Sequence, residues 1–286
     1  MIDFDALRNS EFSWRSALSL CHASQLAYQN SDTVTTQATA WGFEDVTGFE
    51  ADDTQAFFAS RDSVAVLSFR GTESFGDWIT NIQLVTDERP YGRVHHGFFE
   101  AFEEVKEQIQ SKLSDHALTH LYFTGHSLGG ALATVALSEF ANADIPHLGG
   151  YTYGQPRTGK TDFRNNFDQK HKSVFFRVFN KKDIVPRVPP GYRHVGTRKG
   201  LSDDGLLEAI DMESVDADAP PVTEEEFSRL QEGIDSLMAT IQAEEEGLES
   251  LPLADETLEG FLPGVKAHDL NLYIERLQAL AEDEET

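Results

Sequence analysis

The stretch Leu121-Tyr-Phe-Thr-Gly-His-Ser-Leu-Gly-Gly130 passes from apolar, aromatic residues into three glycines and one serine. Gly125-His126-Ser127-Leu128-Gly129 has the spacing Gly-x-Ser-x-Gly, in which a strand turns sharply into a helix and lifts a serine hydroxyl above the sheet edge. Glycines flank such a serine because the turn leaves no room for side chains. Ser127 is therefore the candidate nucleophile, placed where the first unpaired amides of a helix face any negative charge that forms nearby. A serine hydroxyl is a poor nucleophile near neutral pH. It needs a base to take its proton and a carboxylate to orient that base. In a strand-turn-helix site of this kind the chain order is Ser, then Asp or Glu, then His. Asp183, in Asn180-Lys-Lys-Asp183-Ile-Val-Pro186, stands just past the apolar run VFFRVF, at the carboxyl end of a predicted strand, where such sheets gather catalytic groups. Asp162 and Asp168 fall in a helical or loop segment and fit less well. Two histidines lie downstream: His194 in GYRHVG, and His268 in VKAHDLNLYIERL, which opens the last predicted helix. Spacing leaves both open and favours His268, whose long connection lets it return to the sheet edge. His126, the serine's neighbour on an extended strand, is expected to face the opposite side and reads as structural.

The elements that must position these groups follow from hydrophobic periodicity. Residues 14–28 have helical spacing, with Ala17, Leu18 and Cys21 set against polar positions. Strands are predicted at 55–59 and 63–69, separated by a turn at residues 60–62. Residues 97–113 read as a helix that is charged on one side and carries Phe98, Phe102, Val105, Ile109 and Leu113 on the other. A strand at 119–124, a helix at 128–143, a strand at 148–153, a helix near 160–168 and a strand at 174–179 follow. Strands alternating with helices imply an α/β fold with a central, mostly parallel sheet flanked by helices, in a single domain spanning 1–286.

Charge sets apart one region. Residues 202–286 hold 25 Asp and Glu against 3 Lys and Arg, a net of −22, which leaves only −4 of the chain's −26 for residues 1–201. Such a surface repels nucleic acid and anionic lipid, and it reads as a solvated helical face. Within it, Thr223 and Glu226 form a capping-box pattern ahead of Phe227, Leu230, Ile234, Leu237 and Ile241, a narrow apolar stripe at three- and four-residue spacing, with Glu244 next in line. The spacing predicts an acidic helix over 223–247. It reads as packing along the body, with a second cover or a dimer contact as the sharper alternatives. The lone Cys21 excludes a disulfide framework and a multi-cysteine metal site. No run of 18 apolar residues occurs, so no transmembrane helix is expected, and the acidic start MIDFDALRNSEF does not read as a signal peptide. The default expectation is a cytoplasmic location, with secretion left open.

Six pieces of the chain, in order, carry a family resemblance: SFRGTESFGDWITN, VHHGFFEAF, TGHSLGGALA, YGQPRTG, RVFNKKDIVPRVPP and AHDLNLYIERL. Together they resemble the class 3 lipase family, the filamentous-fungal type of triacylglycerol lipase with an α/β-hydrolase fold. The resemblance implies a carboxylic ester hydrolase with Ser127 as nucleophile, Asp183 as the carboxylate and His268 as the base, which supports the choice of His268 over His194. It implies an oxyanion hole made by the amides of Thr72 and Leu128, and a lid after Thr72 in which Trp78, Ile79 and Ile82 give an apolar face. Neither a cofactor nor a metal is implied; the partners are a lipid or other carboxylic ester and a lipid-water interface. Phospholipase A1 or a feruloyl-type esterase on the same scaffold would share these residues, and a non-catalytic binding protein of the same fold is the alternative from another class. One departure stands out. The 85 positions from Asp183 to His268 exceed the family's usual spacing, so the resemblance implies an acidic helical insertion at about 202–260.

Overall fold

The computed structural model describes residues 1–72, 75–114, 120–201, 221–247, 253 and 255–284. Helices α1 (Trp14–Leu26) and α2 (Ser31–Ala40) precede strands β1 (Asp45–Ala51), β2 (Thr54–Arg61) and β3 (Val64–Phe69). A short helix α3 (Phe75–Asn81) leads to a hairpin of β4 (Thr86–Arg89) and β5 (Gly92–His95), then to α4 (His96–Ser114). The chain continues through β6 (His120–His126), α5 (Leu128–Asn142), β7 (Gly149–Tyr153), α6 (Thr161–His171), β8 (Phe175–Asn180) and β9 (Thr197–Leu201). Three helices close it: α7 (Glu224–Glu245), α8 (Glu256–Lys266) and α9 (Leu270–Asp283).

Seven strands form one sheet in the order β1-β2-β3-β6-β7-β8-β9. The first two pairings are antiparallel and the remaining four are parallel. Strand alternation sorts the core into two layers. Leu67, Phe69, Leu121 and Phe123 join the cluster that includes Phe102 and Ile109 of α4 and Leu132 and Val135 of α5. Val64, Val66, Tyr122 and Tyr151 join the other, with Leu20 of α1, Val34 of α2 and Leu277 of α9. Both clusters grip β6: Phe123 from one side and Tyr122 from the other are almost fully buried. Burial of a side chain of this size contributes about 1.5–3 kcal/mol relative to exposure, so the end of β6 is held firmly where Ser127 follows.

The expected alternation of strands and helices is present, with several elements that periodicity did not announce. β1 and β9 lie at the two edges of the sheet, half-buried for most of their length, and lack the apolar runs that mark central strands. α2 has only Val34 and Ala38 buried, and Asn30 starts it by accepting from the Thr33 amide at 2.9 Å. The acidic helix begins at Thr223 with both capping-box bonds in place. Its stripe residues Phe227, Leu230, Ile234 and Leu237 are buried in the same cluster as Ile79 of α3 and Leu258 of α8. The stripe thus packs on its own chain. Residues 202–220, 248–252 and 254 of the acidic insertion lie outside the described residues.

Candidate active site

The site starts where β6 ends. Ser127 has φ 57° and ψ −129°, a backbone conformation that side chains other than glycine rarely adopt, and its amide donates to the Tyr153 carbonyl at 2.9 Å. α5 begins at the next residue, so the Leu128 amide is among the first of the helix, which have no carbonyl of their own helix to bond. Close approach explains the glycines. A Cβ on Gly129 would lie 2.2 Å from the Phe69 carbonyl oxygen, so α5 can sit against the end of β3 only without a side chain there. A Cβ on Gly71 would meet Tyr28 Oη at 2.2 Å and the His126 carbonyl at 2.8 Å. These two contacts bring the segment Arg70-Gly71-Thr72 beside the serine turn. Thr72 and Ser127 line one cleft of about 270 Å³, together with Tyr28, His126, His268 and Leu270.

Asp183 lies three residues beyond β8, in a turn closed by its amide bonding to Asn180 O at 2.9 Å, and is 2% exposed. Three donors converge on its carboxylate. Val185 N donates to Oδ1 at 2.9 Å, while His268 Nδ1 (2.8 Å) and Tyr273 Oη (2.5 Å) donate to Oδ2. Because a carboxylate can only accept, the proton of a neutral His268 ring sits on Nδ1 and the lone pair on Nε2. His268 stands between α8 and α9, and both helices are tied to the turn that carries the aspartate. Ile184 N donates to Gly264 O at 3.2 Å, and Asn180 Nδ2 donates to Ala267 O at 2.8 Å. Asn180 also accepts from Arg276 of α9 at 2.6 Å, and its amide donates to Tyr273 Oη at 3.0 Å. Burial, and next the Asp183 charge, push the Tyr273 hydroxyl pKa well up, so it stays a donor.

His126 has the contacts of a packed, structural ring. Alternation does turn it to the layer of α1 and α9, but His268 arrives on that same side, and the two rings stack with centroids 4.4 Å apart at 29°. His126 Nε2 bonds the His268 carbonyl at 2.9 Å and Nδ1 meets Tyr28 Oη at 3.0 Å. A carbonyl cannot donate, so Nε2 holds the proton and Nδ1 accepts from the tyrosine. Burial, and next the neighbouring His268, hold His126 well below the usual histidine range. It remains neutral beside a ring that must become charged if it takes a proton. No local pattern signalled His126, Tyr28, Tyr273 or Asn180 as partners, because the group each one bonds lies 87 to 142 positions away along the chain.

The other candidates lie elsewhere. His194 is buried in the loop before β9, with Nε2 donating to Pro186 O at 2.6 Å. Asp162 bonds the amide and Nε of Arg93, and Asp168 accepts from Gly196 N at 2.7 Å. Ile79 of α3 and Ile82 just beyond its end are buried, and the half-buried Trp78 ring stacks near Phe98 at 6.4 Å. α3 lies under α7: Gln231 Nε2 donates to Ile79 O at 2.9 Å and Thr80 O at 3.2 Å. A larger cleft of about 910 Å³, lined by Phe4, Arg8, His22 and Arg61 among others, includes none of these groups. Among the described residues, no helix is long and apolar enough to cross a membrane.

Residues 66–193 match the family model described as Lipase (class 3). This segment belongs to the class 3 lipase family. It includes Thr72, Ser127, Leu128 and Asp183, while His268 and the acidic helix lie beyond it. The chain is 40% identical over 153 residues to secreted mono- and diacylglycerol lipase 1 of Fusarium solani, which covers 50% of this chain and 45% of that protein. It is 31% identical over 168 residues to a lipase of Rhizomucor miehei, 53% of this chain and 46% of the relative. The chain thus spans about half the length of the curated relatives it matches. A solved structure of the Rhizomucor miehei triacylglyceride lipase superposes with a TM-score of 0.55 at 25% identity, over 70% of this chain and 81% of the other. The fold around the class 3 lipase segment is the α/β-hydrolase fold, with its mostly parallel sheet flanked by helices.

Proposed function

We propose that the protein is a carboxylic ester hydrolase of the lipase kind. One observation carries the reading: a buried His268–Asp183 pair, 2.8 Å apart, opens on the cleft that also holds Ser127 at a strained strand-to-helix turn. Ser127 Oγ attacks the ester carbonyl carbon while its proton passes to His268 Nε2. Asp183 stabilises the imidazolium through Nδ1. The amides of Thr72 and Leu128 receive the oxyanion, and losing one such donor typically costs about 2.7–4 kcal/mol of transition-state stabilisation. Collapse expels the alcohol, which takes the proton back from His268. Water then attacks the acyl-serine, gives its proton to the same nitrogen, and releases the carboxylic acid with Ser127 restored.

Acylglycerols are the proposed substrates, by likeness to the Fusarium and Rhizomucor enzymes, whose names carry mono-, di- and triacylglycerol activity. α3 is the proposed cover, because opening it would expose Trp78, Ile79 and Ile82, a cost that a lipid surface offsets and water does not. Equal specific activity below and above the solubility limit of the substrate argues against that role. Export is part of the same proposal, since the Fusarium relative is named as secreted; activity confined to cell extract and missing from the medium contradicts it. For the chemistry itself, a fluorophosphonate probe is expected to label Ser127, and Ser127→Ala to lose both the label and turnover of a panel of nitrophenyl esters and triacylglycerols. Turnover retained in the purified mutant rejects the assignment.

A further inference from the structure

A second cleft of about 490 Å³ adjoins the first on the far side of His268, sharing His126, His268 and Leu270 with it. Its volume falls within the range of about 300–1,000 Å³ found for small-molecule sites. Val265 of α8 forms one part of the wall, and Met238 and Ile241 of the acidic helix α7 form another. Both α7 side chains are only partly buried although they pack against the core cluster, so they keep apolar surface turned toward this space. Met238 also touches the proposed cover: a Cβ on Gly76 of α3 would lie 3.3 Å from its Cγ. The rim is charged. Glu244, Glu245 and Asp269 stand there against Lys266, which is already paired with Glu244. An apolar interior behind a net negative mouth accepts an uncharged hydrocarbon chain and repels a phosphate-bearing headgroup.

From these features we infer that α7 forms a wall of the acyl-chain subsite, so that Met238 and Ile241 set which ester chain lengths are hydrolysed. The inference rests on the ester-hydrolase reading of the site, and it makes α7 a determinant of specificity as well as a packing element. The insertion between Asp183 and His268 then has a job: it delivers a helix from above the sheet to the base's own flank, where a chain attached to the reacting carbonyl can lie along it. Each buried methylene is worth about 0.8 kcal/mol, roughly fourfold in kcat/KM.

The test is a series of nitrophenyl esters from butanoyl to hexadecanoyl, hydrolysed by the full chain and two variants. Ile241→Trp fills the cleft and is expected to lower the dodecanoyl-to-butanoyl ratio of kcat/KM by about tenfold or more, the loss of two or three methylene sites. Met238→Ala widens it and is expected to move the optimum toward longer chains; should the tryptophan variant fail to fold, this one carries the test. A chain-length profile that moves by less than twofold in the folded variants overturns the inference while leaving the hydrolase reading in place. Absence of turnover of every ester by the unmodified chain, with no fluorophosphonate label on Ser127, removes the hydrolase reading itself and this inference with it.

Discussion

Replacing Asp183 by asparagine tests the proposed proton path at its most constrained point. The carboxylate accepts from His268 and Tyr273 at Oδ2 and from Val185 N at Oδ1. An amide has the same shape but carries two donors on one end. With its NH2 group toward Val185 it faces another donor. With that group toward His268 it meets two donors, and the imidazole relieves the clash by moving its proton from Nδ1 to Nε2. A base protonated at Nε2 cannot take the proton of Ser127, and a wrong tautomer of this kind costs about 10⁴-fold in kcat, about 5.4 kcal/mol at 1.36 kcal/mol per decade. The stability cost is separate and smaller: in that orientation Val185 N keeps its acceptor and the buried Tyr273 hydroxyl loses the oxygen it donates to, about 1–3 kcal/mol. Steady-state hydrolysis of a soluble nitrophenyl butanoate at pH 7.5, set beside urea unfolding of the same preparation, separates the two effects. The expected result is a folded protein with kcat down by three to four decades. If Asp183→Asn keeps more than a tenth of the parent kcat while folded, the carboxylate does not set the tautomer and the proposed path is wrong.

Three further outcomes follow from the same geometry. Ser127→Gly removes a side chain from a positive-φ position and is expected to raise the urea midpoint by an amount equivalent to about 1 kcal/mol while abolishing turnover; a lower midpoint contradicts the strain argument. His95 is 3% exposed, and burial lowers its pKa from 6.5 to about 4. The unfolded chain therefore binds the proton first: the stability due to the neutral ring is complete above about pH 6.5 and is lost as pH falls toward 4, roughly 2 kcal/mol of it by pH 5. His95→Phe should flatten the fall in unfolding free energy between pH 7 and 5 by about that amount, and an unchanged slope counts against it. Gln231→Ala removes two bonds to the last carbonyls of α3 and should speed hydrogen exchange of the 75–81 amides about five- to tenfold, given about 1 kcal/mol for a neutral bond; unaltered exchange means the latch contributes nothing to holding that helix.

Local signals in the chain sufficed wherever one segment had to satisfy its own physics. The apolar runs around Val66, Phe123 and Val178 mark central strands because both of their faces are buried. Thr223 and Glu226 announce the start of α7 because helix amides need partners at once, and Gly-x-Ser-x-Gly announces its turn because the backbone there has no space for a Cβ. Edge strands β1 and β9 and the weakly apolar α2 were illegible, since their stability comes from neighbours and leaves little periodic trace.

What the amino-acid order determined by itself was the class of fold, the strand-to-helix turn that holds Ser127, the place of Asp183 just past a strand, and the presence of an acidic helix. Only the tertiary structure decided that His268 meets Asp183, with Tyr273 and Asn180 bracing the pair and the ring of His126 lying neutral against it. It also decided that α7 lies across α3 and beside His268. Those contacts join residues about 85 to 150 positions apart, and pairings at that range are fixed by how helices seat on a sheet. The spacing of letters along one element carries no record of that seating.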